Sequence, residues 1–254
     1  VQEMPQVTAW FLDLHQATQA GHYVDSDVQV VCAADLPAEE IDVAALAILR
    51  RGEAELTREL LQQAHQRLQV GGYLAASVDN PRDRWLHDQL QNLLEKVTVH
   101  RTPRGSVYWG RKTKPLKKAK DFTCHFAFRD EEQLIKVVSR PGVFSHRRLD
   151  PGARQLMLTA EIGPDDHVLD MGCGAGPVSL AAAMRTTGDV YAIDANIRAI
   201  ECTRIGAELN AIDNVVPILN ADGQLELSDP IDVALANPPY FGNDRISQHF
   251  VDTA

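Results

Sequence analysis

The chain is poor in the residues that would mark it as a disulfide scaffold or a metal protein. Its four cysteines, Cys32, Cys124, Cys173 and Cys202, form no C-x-x-C pair. Neither a disulfide framework nor a zinc site fits that scatter. Nine histidines include no H-E-x-x-H or comparable ligand spacing, so no metal is expected. No apolar run nears the roughly 20 residues of a membrane span, and the start lacks the basic-then-apolar pattern of a secretory signal. These absences point to a cytoplasmic protein with reduced thiols and no membrane partner. Positive charge is also scarce: Lys and Arg number 25 against 35 Asp and Glu, for a net charge of -10. A chain so acidic does not coat nucleic acid indiscriminately, because phosphate binding needs clustered cations. One local exception stands out, the acid-free stretch of Arg101, Arg104, Arg111, Lys112, Lys114, Lys117, Lys118 and Lys120. It reads either as a solvated linker or as a phosphate-contacting strip.

What is present is a hydrophobic share of 44% over 254 residues, enough for one large or two modest cores. The segment Ile41-Asp42-Val43-Ala44 recurs as Ile231-Asp232-Val233-Ala234, and the register holds through a following amphipathic helix, with Gly52 matching Gly242 and Leu56 matching Ile246. This predicts a duplicated domain, divided at 1–120 and 121–254. Past Ala64 the first copy continues with a Gly71-Gly72 turn, a strand over Tyr73 to Val78, a helix around Trp85 to Leu94 and a hairpin through Val97 to Trp109. By that comparison the second copy ends roughly 50 residues early, and the expectation is an incomplete C-terminal domain.

In the second half, strands are predicted over His167 to Met171, Asp189 to Ile193, Val215 to Leu219 and Ile231 to Ala236, with helices over Pro177 to Met184 and Ile197 to Asn210. Alternation at this spacing predicts an α/β fold, a Rossmann-like parallel sheet with helices on both faces and ligands at the carboxyl ends of the strands. The first strand ends in Asp170-Met171-Gly172-Cys173-Gly174-Ala175-Gly176, followed by Pro177. Glycines there let the backbone turn tightly and approach a ligand. A nicotinamide site is the rival reading, but it favours G-x-G-x-x-G with a pyrophosphate at the helix N-terminus.

The D-x-G-x-G-x-G loop resembles motif I of class I S-adenosyl-L-methionine-dependent methyltransferases. That resemblance implies that the loop, with Gly172, Cys173, Gly174 and Gly176, cradles the amino-acid end of the cofactor. Asp170 is then placed in a network reaching the cofactor's ammonium group, Asp194 at the ribose hydroxyls, and Asp222 with Gly223 at the adenine. Cys173 reads as a small packing residue, since nothing supplies it with a base.

The fourth strand runs into Asn237-Pro238-Pro239-Tyr240. Two prolines end the strand and leave carbonyls free, making a rigid acceptor site. An exocyclic or amide nitrogen is a poor nucleophile because its lone pair is delocalised. The Asn237 side-chain oxygen and the Pro238 carbonyl can each accept one of its hydrogens, favouring a pyramidal nitrogen. Tyr240 offers a face on which a planar substrate stacks. The aligned residues of the first copy, Ala47-Ile48-Leu49-Arg50, lack this apparatus.

Upstream, Pro141-Gly142-Val143-Phe144-Ser145 with Leu149-Asp150, Gly152 and Arg154 resembles the P-G-V-F-S-x-x-x-L-D-x-G-x-R segment of the methyltransferase small domain. Bacterial rRNA guanine-N2 methyltransferases of the RsmC/RlmG type carry it, behind a degenerate duplicate. The resemblance implies that Phe144 lies near the cofactor and that a ribosomal RNA or subunit is the partner. Tyr240-Phe241 departs from the N-P-P-F-H frequent in guanine enzymes. Adenine-N6 and protein-glutamine targets therefore stay open, as does a non-catalytic cofactor-binding adapter. An RNA-contacting surface is required for a splayed base, and the basic strip and Arg147-Arg148 are the candidates.

Overall fold

The computed structural model describes residues 6–227 and 229–238. The chain divides into two compact units, one of residues 35–122 and one that joins residues 1–34 to 123–254. Residues 6–34 thus pack with the second half, whereas the repeat assigned them to a domain spanning 1–120. They form β1 (Val7–Phe11), α1 (Leu14–Gly21) and β2 (Val28–Cys32), with β1 and β2 parallel.

The 35–122 unit holds β3 (Ile41–Ile48), α2 (Ala54–Arg67), β4 (Leu68–Val78), α3 (Trp85–Gln91), β5 (Thr98–Thr102) and β6 (Gly105–Arg111), in a sheet ordered β3-β4-β6-β5. Leu61, Ala64, Leu74, Leu86, Leu90 and Tyr108 fill its core. The expected Gly71-Gly72 turn is instead a kink inside β4. Gly71 adopts φ +101°, and the pairing with β3 shifts register between Ile41 and Val43. Much of the basic strip is structural. Lys112 is buried, its Nζ donating to the Leu68 carbonyl at 2.5 Å just past α2, Arg111 Nε donates to the Gly71 carbonyl, and Lys114 pairs with Glu95. A cavity of about 300 Å³ opens where β3 and β4 end, lined by Leu49, Arg50, Asn80, Asp83 and Trp85 among others.

The remaining unit continues with β7 (Cys124–Asp130), β8 (Gln133–Ser139), α4 (Pro151–Thr159), β9 (Val168–Met171), α5 (Pro177–Ala183), β10 (Val190–Asp194), α6 (Ile197–Asn210), β11 (Val215–Leu219) and β12 (Val233–Ala236). Strands β7 and β8 form an antiparallel hairpin, and the other four make a parallel sheet ordered β11-β10-β9-β12. All four residues of β9 are buried, as a central strand of a covered parallel sheet requires. Side chains of α4, α5 and α6 share one core with Val168, Val190 and Leu235. The opposite face, Leu169, Met171, Tyr191 and Ile193, is covered by Leu225, Leu227 and Ile231. Helices on both faces were expected; among the described residues they lie on one. The successive right-handed crossovers β9-α5-β10 and β10-α6-β11 step in the same direction, so both helices fall on the same side. The return from β11 to β12 serves the other side with irregular chain.

The two pieces of this unit meet through matching turns. Leu14 N–H donates to the Ala195 carbonyl at 2.8 Å and Ile197 N–H donates to the Leu12 carbonyl at 2.9 Å, with the helix caps Asp13 and Asn196 bridged between them. Arg198, fully buried, donates from Nε to the Ala34 carbonyl and from a terminal nitrogen to the Pro141 carbonyl, each at 2.7 Å. No helix among the described residues is long and apolar enough to cross a membrane.

Candidate cofactor and substrate site

The order β11-β10-β9-β12 reverses between β9 and β12, the place where an open parallel sheet leaves a crevice at its carboxyl edge. Two segments singled out in the sequence leave the sheet there side by side. Ala236 pairs with Met171, so Asn237 and Gly172 depart from neighbouring strands at the same level.

In the loop after β9, Gly172, Gly174 and Gly176 take φ of +71°, +57° and +82°, a region that residues with a Cβ rarely adopt. A Cβ on Gly176 would fall 2.7 Å from Thr203 Oγ1, which fixes the close approach of α5 to α6. A Cβ on Gly174 would meet nothing within 4 Å, so that side of the loop faces open space. Gly174 N–H donates to Asp194 Oδ2 at 2.9 Å, and Asn196 N–H donates to Asp194 Oδ1 at 2.8 Å. Asp194 therefore braces the glycine loop from the adjacent strand. The Cys173 side chain turns inward against Thr203 Oγ1 at 3.6 Å, and burial pushes its thiol well above the ordinary range. Only its backbone belongs to the loop's open side, and as a nucleophile it is inert.

Asp170 is 2% exposed and accepts a 2.5 Å hydrogen bond from Ser179 Oγ. Burial pushes its carboxyl up to about 6, against the opposing Ser179 bond, and the neighbouring Asp194 adds to the rise. Asp194 is raised as well, again mainly by burial. Among the described residues neither carboxylate takes part in an ion pair. A buried carboxyl and its half-buried neighbour facing an open glycine loop are unfavourable alone and are relieved by a ligand bearing positive charge. The ammonium end of S-adenosyl-L-methionine has that chemistry, so the donor set fits this cofactor.

Asp222 is exposed, and its Oδ1 accepts from Gln224 N–H at 3.0 Å and from Asn220 Nδ2 at 3.2 Å. Asn220 Oδ1 accepts from Gly223 N–H at 2.6 Å, and Gly223 takes φ +74°. The turn after β11 is thus held by its own side chains, and Asn220 N–H donates to the Asp194 carbonyl, which sets it beside the braced loop. Phe144 is 49% exposed. Its turn is tied to the end of β10 by Asn196 Nδ2, which donates to the Gly142 carbonyl at 2.7 Å. Ser145 and Arg147 sit at φ +53° and +78°, strained for residues with side chains, while Ser139 Oγ and His146 Nδ1 lie 2.6 Å apart beneath them. Such strain persists only where surroundings over-determine it, often beside ligands.

Asn237 is half-buried, and its Nδ2 donates to Asp150 Oδ2 at 3.0 Å. Pro238 follows within the structure; Pro239 and Tyr240 lie outside the described residues. Sequence reasoning did not find Asp150, Ser179, Thr203 or Asn196 as parts of the site. In the structure Asp150 and Asn196 are the N-caps of α4 and α6, and nothing local in the sequence ties Asp150 to a residue 87 positions away. Among the described residues no group of three or more His, Cys, Asp or Glu is placed to hold a metal.

A parallel sheet with a glycine loop after its first strand, a bracing acid at the end of the next and an Asn-Pro turn across the switch point has the architecture of the α/β methyltransferase fold. Residues 134–254 match the Methyltransferase small domain. The chain is similar to ribosomal RNA small subunit methyltransferase C of Pseudomonas entomophila, with 32% identity over 148 residues, covering 58% of this chain and 41% of that protein. The corresponding protein of Pseudomonas aeruginosa is 36% identical over 107 residues, covering 42% of this chain and 32% of it. The chain therefore spans about two-fifths or less of the length of these curated relatives. Among solved structures it resembles the T. thermophilus 16S rRNA N2 G1207 methyltransferase (RsmC), in complex with AdoMet and guanosine. The TM-score is 0.82 at 22% identity, covering 98% of this chain and 70% of that one.

Proposed function

We propose that the protein transfers the methyl group of S-adenosyl-L-methionine to the exocyclic N2 of a guanine in ribosomal RNA. The observation that carries this reading is the Asn237 amide, held level with the glycine loop at the switch point by its bond to Asp150. Asp170 receives the cofactor's ammonium group, Asp194 its ribose hydroxyls, and Asp222 with Gly223 its adenine. When bound, the cofactor supplies an electrophilic methyl carbon on a sulfonium. Asn237 Oδ1 and the Pro238 carbonyl accept the two hydrogens of the guanine amino group, turning its lone pair toward that carbon. No base is needed before attack, because the nitrogen becomes acidic only once methylated, and the proton then leaves to solvent. Tyr240 stacks on the base, and Phe144 closes the site near the cofactor. The names of the relatives favour ribosomal RNA over adenine-N6 or protein-glutamine targets, and ribosomes as partner imply action in the cytoplasm.

The first part of the chain serves as a degenerate counterpart of the second. The order β1-α1-β2-β3 repeats β10-α6-β11-β12, which supports tandem domains, and Ala47-Ile48-Leu49-Arg50 stands where the acceptor motif would be. Label transfer from tritiated cofactor to rRNA, ribosomal subunits and release factors tests the assignment in the full-length protein. Asn237→Ala should abolish transfer to rRNA while calorimetric binding of S-adenosylhomocysteine persists. Labelling of release factor instead of RNA would replace the proposed substrate, and loss of both transfer and binding in Asn237→Ala would make Asn237 structural.

A further inference from the structure

Asp150 does two things at once. As N-cap of α4 its Oδ2 accepts from Gly152 N–H at 2.8 Å and Ala153 N–H at 3.1 Å, and the same oxygen receives Asn237 Nδ2 at 3.0 Å. The residue is 7% exposed, and Pro151 in the first turn sets the helix start rigidly behind it. We propose that Asp150 is the positioning residue that decides which end of the Asn237 carboxamide faces the substrate, an inference that rests on Asn237 being the acceptor.

A carboxamide is nearly symmetric. Its oxygen and NH2 ends have almost the same size, and a half-turn about the last side-chain torsion exchanges them with little steric consequence. The chemistry is not symmetric. With Oδ1 toward the substrate, Asn237 accepts a hydrogen from the amino group; with NH2 there, it presents a donor to a donor and repels it. Shape packing cannot choose between the two, so a hydrogen-bond partner must.

An ionised carboxylate has only acceptors to offer. Asp150 is fixed by two backbone donors, and its carboxylate meets the Asn237 end that can donate. Reversal would set Oδ1 of the amide against a carboxylate oxygen with no proton between them, exchanging a charge-assisted hydrogen bond for repulsion. The helix cap therefore acts across the site, orienting a group just past β12 and 87 residues further on. Pinning it there is a form of preorganisation: the acceptor is aimed before the substrate arrives. It also gives the Leu149-Asp150-Pro151-Gly152 segment a task in the reaction besides starting a helix.

Two variants separate positioning from capping. Serine is an equally good N-cap, but its hydroxyl is too short to reach Asn237, so Asp150→Ser keeps α4 and releases the amide. Asparagine keeps an oxygen that can accept from both backbone donors and from Asn237. In the full-length protein, Asp150→Ser should lower kcat by about 10- to 100-fold with S-adenosylhomocysteine affinity and thermal midpoint close to wild type. Asp150→Asn should recover most of that loss. The Asn237 side-chain NH2 resonances, assigned by their absence in Asn237→Ala, should shift in Asp150→Ser and stay near wild type in Asp150→Asn. Unchanged kcat in Asp150→Ser, or unmoved Asn237 resonances, overturns the proposal. So does equal loss in kcat, cofactor affinity and melting temperature, which would reduce Asp150 to a cap. If the wild type methylates no substrate, the functional reading fails, while the amide resonances still decide whether Asp150 orients Asn237.

Discussion

Replacing Asp170 by asparagine should strengthen the unliganded fold and remove the cofactor. The carboxyl stands at about 6 in the fold against an ordinary 3.8, a difference near two pH units and hence roughly 3 kcal/mol. Because the folded-state value lies above the unfolded one, the native protein binds the extra proton between pH 4 and 6. Stability therefore falls as pH rises through that window, is unaffected by this group below it, and carries the full penalty above pH 6. Asparagine removes the charge but brings an NH2 that needs an acceptor in a site where Ser179 is a donor, a cost of about 1 to 2 kcal/mol. The net gain expected at pH 7.5 is then about 1 to 2 kcal/mol, read as a higher urea midpoint at unchanged slope. Binding runs the other way. An ammonium ligand favours the ionised carboxylate, so S-adenosylhomocysteine should release up to one proton per molecule bound at pH 5 and close to none at pH 7.5. Its affinity should climb by up to about tenfold per pH unit below pH 6 and then level off. Asp194, raised in the same direction by burial, acts in the same sense. Calorimetry in buffers of different ionisation enthalpy counts the protons. An affinity independent of pH from 5 to 7.5, or an Asp170→Asn protein less stable than wild type, would refute this account of the two acids.

Other substitutions test the frame around the site. Gly176→Ala combines a positive φ with a Cβ 2.7 Å from Thr203 Oγ1, and should cost about 2 to 3 kcal/mol in urea unfolding along with cofactor affinity. Arg198→Ala leaves the Ala34 and Pro141 carbonyls without their donor. It should cost about 3 kcal/mol and increase hydrogen exchange at Leu14 and Ile197, whose amides bond across the matching turns; unchanged exchange there would show that the guanidinium does not hold the segment.

Helix α6 and strand β11 have the limits expected from sequence, Ile197–Asn210 and Val215–Leu219. Their ends carry local chemistry: the Asn196 side chain accepts from Arg198 N–H, and Ala211 turns left-handed at φ +54°. The glycine loop and the Asn-Pro turn were legible for the same reason, since positive φ and proline leave marks on the residue types themselves. Gly71-Gly72 carried the same mark, yet a kink within a strand and a turn between strands ask for the same residues, and only pairing with β3 distinguishes them. The basic strip looked uniform because charge is visible and burial is not; Lys112 disappears into the end of α2. The reach of Asp150 to Asn237 and of Arg198 to Ala34 leaves no periodicity or spacing to read. Both depend on the chain returning to itself after many residues.

That return has a consequence in time. Ala34 leaves the ribosome 164 residues before Arg198, an interval of roughly 10 to 30 s at ordinary elongation rates. Throughout it, the β1-α1-β2 segment lacks the surface on which it rests, and the 35–122 unit can fold while its own predecessor waits. These two strands are made well before they are locked, and the turn they brace is the one beside the glycine loop. A second half begun at residue 123 would emerge faster and never receive that brace.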